Sequence, residues 1–287
     1  MTTYAIIVTY NGSQWIDKCL SSLESSSIPL KILVVDNGST DDTIEIIQNN
    51  FPQVELIISD ENLGFGKANN IGLKRVLDEN ADYALLLNQD AWAESDTIEK
   101  LIKISKANSQ IGVLSPIPYN GDGTGVDYLY KKFYKNDVDK NRDFGNLTYQ
   151  TNFINAACWL ITKEVLSDIG GFHPHFFMYG EDVNYLDRIK KHNKYIIAIT
   201  ESTKYFHDRA ERESIEQNSK RIAFKTENKI KVNIYNPNIS KLVTLRYYLV
   251  IAIKNIFKKD SQGFKWFFVT MKYCFLSINN RKIKYPL

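Results

Sequence analysis

Cysteine, long apolar runs and a dominant charge are all scarce in this 287-residue chain. The three cysteines, Cys19, Cys158 and Cys274, are odd in number, far apart and set among apolar residues. That excludes a disulfide framework or a cysteine metal cluster and fits a reducing cytosol. Met1-Thr2-Thr3 leads directly into an apolar strand, with no basic region or small-residue cleavage site, so no signal peptide is read. The longest late apolar run, Tyr247 to Ile253, lies between Arg246 and Lys254 and is too short to cross a bilayer. These absences predict a cytoplasmic protein, soluble or peripheral to the inner face of the cell membrane. The net charge of +3 says little about partners, but its distribution says more. From Ser240 onward ten Lys or Arg face a single acid, Asp260, whereas 26 basic and 32 acidic residues come before.

What is present is a chain long enough to bury a substantial core. Its first third alternates short β-branched runs with helical patterns, the signature of βαβ units around a mainly parallel sheet. Strands are predicted at Tyr4 to Thr9, Lys31 to Asp36, Val54 to Ser59, Tyr83 to Asn88 and Gly112 to Ser115. Helices are predicted at Gln14 to Glu24, Asp41 to Asn50, Gly66 to Asp78 and Ser95 to Ala107, with Ser39 or Thr40 and Ser95 as N-caps. Between Pro116 and Gln150 the periodicity fades into loops or irregular strands. A strand over Asn155 to Thr162 follows, then a helix over Lys163 to Ile169 stopped by Gly170-Gly171. A helix from Glu181-Asp182 to His192 precedes two short strands at Tyr195 to Ile199 and Ser202 to His207, and the tail from Ser240 reads as helical.

Three strands end in polar clusters: Thr9-Tyr10-Asn11, Asp36-Asn37-Gly38-Ser39 and Asn88-Gln89-Asp90. Ligands of open α/β sheets bind outside the carboxyl ends of the strands, so the three clusters converge on one edge. Asp90 can hold a divalent cation against a phosphate, since hard cations take oxygen ligands, or it can simply cap the strand end. Asn88, two residues earlier, points the same way in an extended segment. Asp36 either accepts from a ligand N–H or shapes the Asn37-Gly38 turn. Asn62-Leu63-Gly64-Phe65-Gly66-Lys67 opens the third helix but matches neither GxGxxG nor a P-loop, and its glycines serve a turn equally well. Glu181-Asp182 occupy a first helical turn, where the dipole favours ionisation while burial and mutual repulsion oppose it. One of them is a candidate general base, although acids are common at helix starts. His207 ends a strand as a metal or phosphate ligand or as a structural histidine, whereas His173, His175 and His192 show no metal-ligand spacing. The tail interleaves Lys241, Arg246, Lys254, Lys258, Lys259, Lys265 and Lys272 with Tyr247, Tyr248, Phe257, Trp266, Phe267 and Phe268. It suits a peripheral membrane helix pair or a pair packed on the core with a solvated basic face. The negative remainder and the lack of a recognition motif argue against nucleic acid.

The order of these signals is more specific than any one of them. Ile6-Ile7-Val8-Thr9-Tyr10-Asn11, Val34-Val35-Asp36-Asn37-Gly38-Ser39-Thr40-Asp41, Asn62-Leu63-Gly64-Phe65-Gly66 with Asn69, Asn88-Gln89-Asp90, and Gly170-Gly171-Phe172 with Phe177-Met178-Tyr179-Gly180-Glu181-Asp182 follow one another. Together they resemble glycosyltransferase family 2 over roughly Tyr4 to His207, most closely the bacterial rhamnosyltransferase-type enzymes of surface polysaccharide synthesis. The resemblance implies an α/β GT-A fold, a Rossmann-like mixed sheet with helices on both faces. It would cover 1–239, a nucleotide-binding half at 1–115 and an acceptor-binding half at 116–239, with 240–287 as a helical appendage. It also implies inverting hexosyl transfer from a nucleotide diphosphate donor, dTDP-rhamnose or a UDP-hexose, to a saccharide acceptor hydroxyl. A lipid-linked acceptor would suit the basic tail. By resemblance Thr9, Tyr10, Asn11 and Asp36 hold the nucleoside, and Asn37, Gly64, Asn69, Asn88 and Gln89 complete the donor site. Asp90 matches the last acid of the metal-binding DxD motif, and His207 a late histidine near the diphosphate. Asp182 matches the catalytic base, with Glu181 supporting it or orienting the acceptor. Asn88 stands where the motif has its first acid, so Mg²⁺ or Mn²⁺ at Asp90 must lean on the diphosphate and on His207.

Two rival functions fit parts of the pattern. A sugar-phosphate nucleotidyltransferase would share the fold, but such enzymes carry Lys or Arg in the N-terminal loop, and Ile7-Val8-Thr9-Tyr10-Asn11-Gly12-Ser13 has none. A non-catalytic nucleotide-sugar-binding protein at a membrane surface would have no need of both Asp90 and Asp182.

Overall fold

Strands buried on both faces read as near-continuous apolar runs, and those of the first third form one half of a single sheet. The computed structural model describes residues 1–131, 136, 138–208, 219–257, 262–279 and 287. In it β1 (Thr3–Thr9), β2 (Lys31–Asp36), β3 (Glu55–Ile58) and β4 (Tyr83–Asn88) run parallel in the order β3-β2-β1-β4. Their connections are α1 (Ser13–Glu24), α2 (Thr43–Asn50) and α3 (Phe65–Asp78). Beyond β4 the sheet becomes mixed. β9 (Cys158–Thr162) pairs antiparallel with both β4 and β6 (Ile111–Asn120), and β10 (Ile196–His207) runs parallel to β6. β8 (Thr148–Thr151) and β7 (Val138–Asp143) extend the far edge, and the short β5 (Ala91–Ala93) lies antiparallel to the end of β10.

Period-two alternation sorts the strand residues onto two apolar layers. Ile6, Leu33, Val35 and Leu86 face α3, α5 (Lys163–Ile169) and α6 (Glu181–His192). Ile7, Val34, Leu85 and Leu87 face α1, α2 and α4 (Thr97–Ala107). The three cysteines are buried free thiols. A separate cluster joins Phe176 to Ile230, Ile234 and Tyr235 of α7 (Ser219–Tyr235), Tyr248 of α8 (Lys241–Phe257) and Tyr273 and Cys274 of α9 (Gln262–Asn279). The tail helices therefore pack behind the segment that leads into α6. Among the described residues, no helix is long and apolar enough to cross a membrane.

Three expectations need correction. Ser39, Thr40 and Ser95 are not N-caps, because α2 and α4 begin after Asp42 and Asp96. Ser39 is held instead by the Asp36 turn. The two late strands are one, β10, whose register slips between Thr200 and Lys204 opposite Pro116 and Ile117. A proline cannot donate to the ladder, and the irregularity in the partner falls where that donor is missing. For the same reason Pro116 and Pro118 mask the continuation of β6 to Asn120.

Candidate active site

The turns at the carboxyl edge of the sheet are tied together in sequence. Gln89, just past β4, accepts at Oε1 from Thr9 Oγ1 (2.6 Å) and the Tyr10 amide (2.8 Å), and its Nε2 donates to the Tyr10 carbonyl at 3.3 Å. A Cβ on Gly12 would lie 2.4 Å from that Oε1, so a side chain there would displace the Gln89 amide. Asn11 adopts the left-handed φ of 46° that asparagine tolerates. Its amide donates to Ser39 Oγ at 2.9 Å, and its Oδ1 accepts from the Thr40 amide at 2.8 Å. Asp36 is fully buried and accepts from the Gly38 and Ser39 amides at 3.0 and 2.8 Å and from Ser39 Oγ. An ionised carboxylate has roughly four acceptor positions, so turn-shaping leaves capacity for one ligand donor. Asn37 Oδ1 accepts from the Leu63 amide at 3.3 Å, linking β2 to the loop before α3. Buried Asn69 donates to the Phe65 carbonyl at 2.9 Å, a structural use that stiffens the first turn of α3.

The loop before α3 in turn meets the loop before α6. Gly64 has φ 79° and ψ 169°, a region essentially open to glycine alone. The Phe65 amide donates to the Phe177 carbonyl at 3.0 Å. A Cβ on Gly66 would touch Glu181 Cβ at 3.6 Å. Two successive left-handed residues, Tyr179 (φ 66°) and Gly180 (φ 101°), turn the chain into α6. Asn228 of α7 secures this loop by donating to the Met178 carbonyl at 2.8 Å, while Phe177, Met178 and Tyr179 stay exposed.

At the start of α6, Glu181 is 5% exposed and its Oε2 has no hydrogen-bond partner. Burial, reinforced by repulsion from Asp182, pushes its carboxyl up to about 8. Asp182 is half-buried and accepts at Oδ1 from the Val183 amide at 2.7 Å. Burial pushes it up as well, to about 6, and backbone N–H groups of the first turn work against the shift. Burial thus holds both carboxyls of the pair above the usual carboxylate range, the more enclosed Glu181 further than Asp182.

The end of β4 carries the second polar pair. Asp90 and His207 are 1% and 3% exposed, with His207 Nε2 3.2 Å from Asp90 Oδ1. The β5–β10 pairing sets this contact by placing His207 opposite Ala91. Asp208 continues the ladder, its amide donating to the Asp90 carbonyl at 2.9 Å, and its Oδ2 accepts from Trp15 Nε1 at 3.2 Å. Sequence reasoning passed over Asp208 and Trp15; an acid directly after a strand-ending histidine was the available signal. Asn88 is half-buried, and its amide donates to the Ala157 carbonyl at 2.9 Å. Carboxylate oxygen and imidazole nitrogen are both ligands that Mn²⁺ accepts. Among the described residues, no three His, Cys, Asp or Glu form a metal cage. Asp90 and His207 together offer two protein ligands, so a cation held there would complete its shell with water and substrate phosphate, as Mg²⁺-type sites commonly do.

The profile described as Glycosyl transferase family 2 matches residues 4–170. The chain belongs to this family. Among its relatives is N-acetylglucosaminyl-diphospho-decaprenol L-rhamnosyltransferase of Mycobacterium tuberculosis, 25% identical across 65% of this chain and 69% of that protein. Glycosyltransferase GlyA of Streptococcus pneumoniae is 30% identical, over 54% of this chain and 23% of its own length. The fold of this family 2 glycosyltransferase is GT-A, like that of S. aureus TarS, which superposes with a TM-score of 0.59 at 19% identity. That match covers 89% of this chain and 43% of TarS. A mannosyltransferase from Pyrobaculum calidifontis, solved with GDP-Man and Mn²⁺, matches at 0.55 and 16% identity over 98% of this chain and 87% of its own.

Proposed function

We propose that this family 2 glycosyltransferase performs an inverting transfer of a hexosyl unit, with dTDP-rhamnose first and a UDP-hexose second among donors, to a saccharide hydroxyl in bacterial surface polysaccharide synthesis. The observation that carries the mechanism is the acidic pair at the head of α6, joined to the nucleotide edge through Gly64 and Phe177. Asp182 removes the proton from the acceptor hydroxyl. The acceptor oxygen then attacks the anomeric carbon as the bond to the diphosphate oxygen breaks on the opposite side. Thr9, Tyr10, Asn11 and Asp36 hold the nucleoside, and Asn37, Gly64, Asn69, Asn88 and Gln89 shape the donor site around it. Asp90 and His207 would hold Mg²⁺ or Mn²⁺, which when bound neutralises phosphate charge. The rhamnosyl preference takes its support from the Mycobacterium relative, whose name specifies L-rhamnosyl transfer to a diphospho-decaprenol acceptor. A lipid-linked acceptor places the enzyme at the inner face of the cell membrane.

Thermal shift with UDP, dTDP and GDP, each with and without Mn²⁺, tests the donor class. A ligand at a hundred times its Kd stabilises by about 2.7 kcal/mol, easily seen as a raised Tm. A chain that no nucleotide diphosphate stabilises, and that hydrolyses no nucleotide sugar, is not a glycosyltransferase of this kind.

A further inference from the structure

The helices α8 and α9 contain no Asp or Glu, and they divide their residues sharply. Thr244, Tyr248 and Ala252 of α8 and Thr270, Tyr273 and Cys274 of α9 are buried inward. Outward, Leu242, Leu249 and Ile253 on α8 and Phe268, Met271 and Phe275 on α9 stand 42–65% exposed. Their spacing of three, four or seven residues makes a stripe on each helix. A groove of about 340 Å³ runs between the stripes, floored by Leu245, Phe267 and Cys274, with Arg246 as its one charged residue. The apolar face is thus continuous across both helices, and exposed Lys254, Lys265 and Lys272 flank it. Patches of this kind on a soluble surface mark an interaction site.

We propose that the α8–α9 face docks on an anionic lipid bilayer. The stripe of Leu, Ile, Phe and Met enters the headgroup–acyl boundary, and the flanking cations meet lipid phosphates, the arrangement by which interfacial helices lie on a membrane rather than span it. The charge decides between occupants. A second copy would bring another acid-free basic face against this one, whereas an anionic bilayer complements it. The inner sides of the same helices join one apolar cluster with α7 and Phe176, and Tyr235 of α7 packs against both Phe176 and Tyr273. The docking face is thus linked through α7 to the segment that leads into the acidic pair. This suits an acceptor whose sugar stands just above a lipid. The lipid-linked acceptor reading gives the contact its purpose, but the surface stands on its own residues.

Flotation of the full chain with phosphatidylcholine vesicles, with and without about one-quarter phosphatidylglycerol, tests the face. The wild type is expected to float with the anionic vesicles only, and less so as salt is raised. Phe268→Asp, at a 64%-exposed position, should keep the wild-type melting curve yet lower the bound-to-free ratio by roughly tenfold or more. The pair Lys265→Glu and Lys272→Glu should abolish the preference for anionic lipid. Equal flotation of wild type and Phe268→Asp overturns the proposal. So does a dimer that Phe268→Asp dissociates while no vesicles are bound, since the face would then belong to a second copy. Donor hydrolysis should be unchanged in all these variants. Vesicle binding without any hydrolysis would sink the catalytic reading and leave the docking face standing.

Discussion

Gly64→Ala should damage both stability and catalysis, because at this residue the loop before α3 meets the loop that leads into the acidic pair of α6. Its φ of 79° and ψ of 169° lie where a side chain costs of order 1–3 kcal/mol. The new Cβ would also fall 2.1 Å from the Phe177 carbonyl oxygen and 2.8 Å from its carbon, both backbone atoms. Relief requires the two loops to part, which stretches the bond from the Phe65 amide to the Phe177 carbonyl, itself worth about 0.5–1.5 kcal/mol. The sum is about 2–4 kcal/mol, or roughly 4–16 °C in Tm for a domain of this size. Because Phe177 lies four residues before Glu181, kcat should fall at temperatures where the variant is fully folded. Gly145→Ala is the matched control, with φ 82° but nothing within 4 Å of the added atom. It should lose stability through the backbone alone and keep its turnover. If Gly64→Ala melts within about 1 °C of wild type, the loop contact does not hold the site as argued.

Asp182→Asn should lower kcat by roughly 100-fold or more while leaving nucleotide-induced thermal stabilisation intact; wild-type turnover would remove Asp182 from the base role. The pH profile of kcat/KM should rise through about 6, as Asp182 ionises in the free enzyme, and a profile flat across that range would count against the assignment. Stability should run the other way. Folding raises both carboxyl pKa values, so the neutral forms favour the folded state, and this contribution is complete below the unfolded values and lost as pH climbs through about 6 and about 8. Urea midpoints should therefore decline over that window, and Glu181→Gln should flatten the decline; an unchanged slope contradicts the burial argument. Adding Mn²⁺ to a nucleotide diphosphate should raise Tm further in wild type but not in Asp90→Asn or His207→Ala, and an undiminished increment in both variants would move the cation elsewhere.

The parallel half of the sheet was legible because each strand is an unbroken apolar run ending in a polar cluster. Lys31–Asp36 and Tyr83–Asn88 carry their boundaries in the residues themselves. The mixed half was not, since β6 contains Pro116 and Pro118 and β10 slips register beside them, so neither shows clean alternation. β5 is three residues long and is defined only by its partner β10. The site shows the same division. Gln89 bonded to Thr9, and Phe65 to Phe177, are contacts between segments 80 and 112 residues apart, which no local pattern encodes. Trp15 and Asp208 were missed because the bond between them, and the one from the Asp208 amide to the Asp90 carbonyl, join segments far apart in the chain.

The two adjacent carboxyls at the head of α6 would look interchangeable in sequence, and only their surroundings separate them. Both sit in the first turn, where the helix dipole favours negative charge equally. Glu181 points inward beside Gly66 and Phe172, and its buried Oε2 meets no donor, so ionising it would leave an uncompensated charge away from water. Its neutral form is favoured by this burial, and that form can give a hydrogen bond. Asp182 keeps contact with solvent and a bond from the Val183 amide, so its charged form is tolerated better than that of Glu181. When environments push two acids apart in this way, the one that ionises below the working pH is the base and the one above it is the donor. In the proposed mechanism Glu181 acts on the acceptor or on Asp182, and its burial works against the charged form that would repel Asp182.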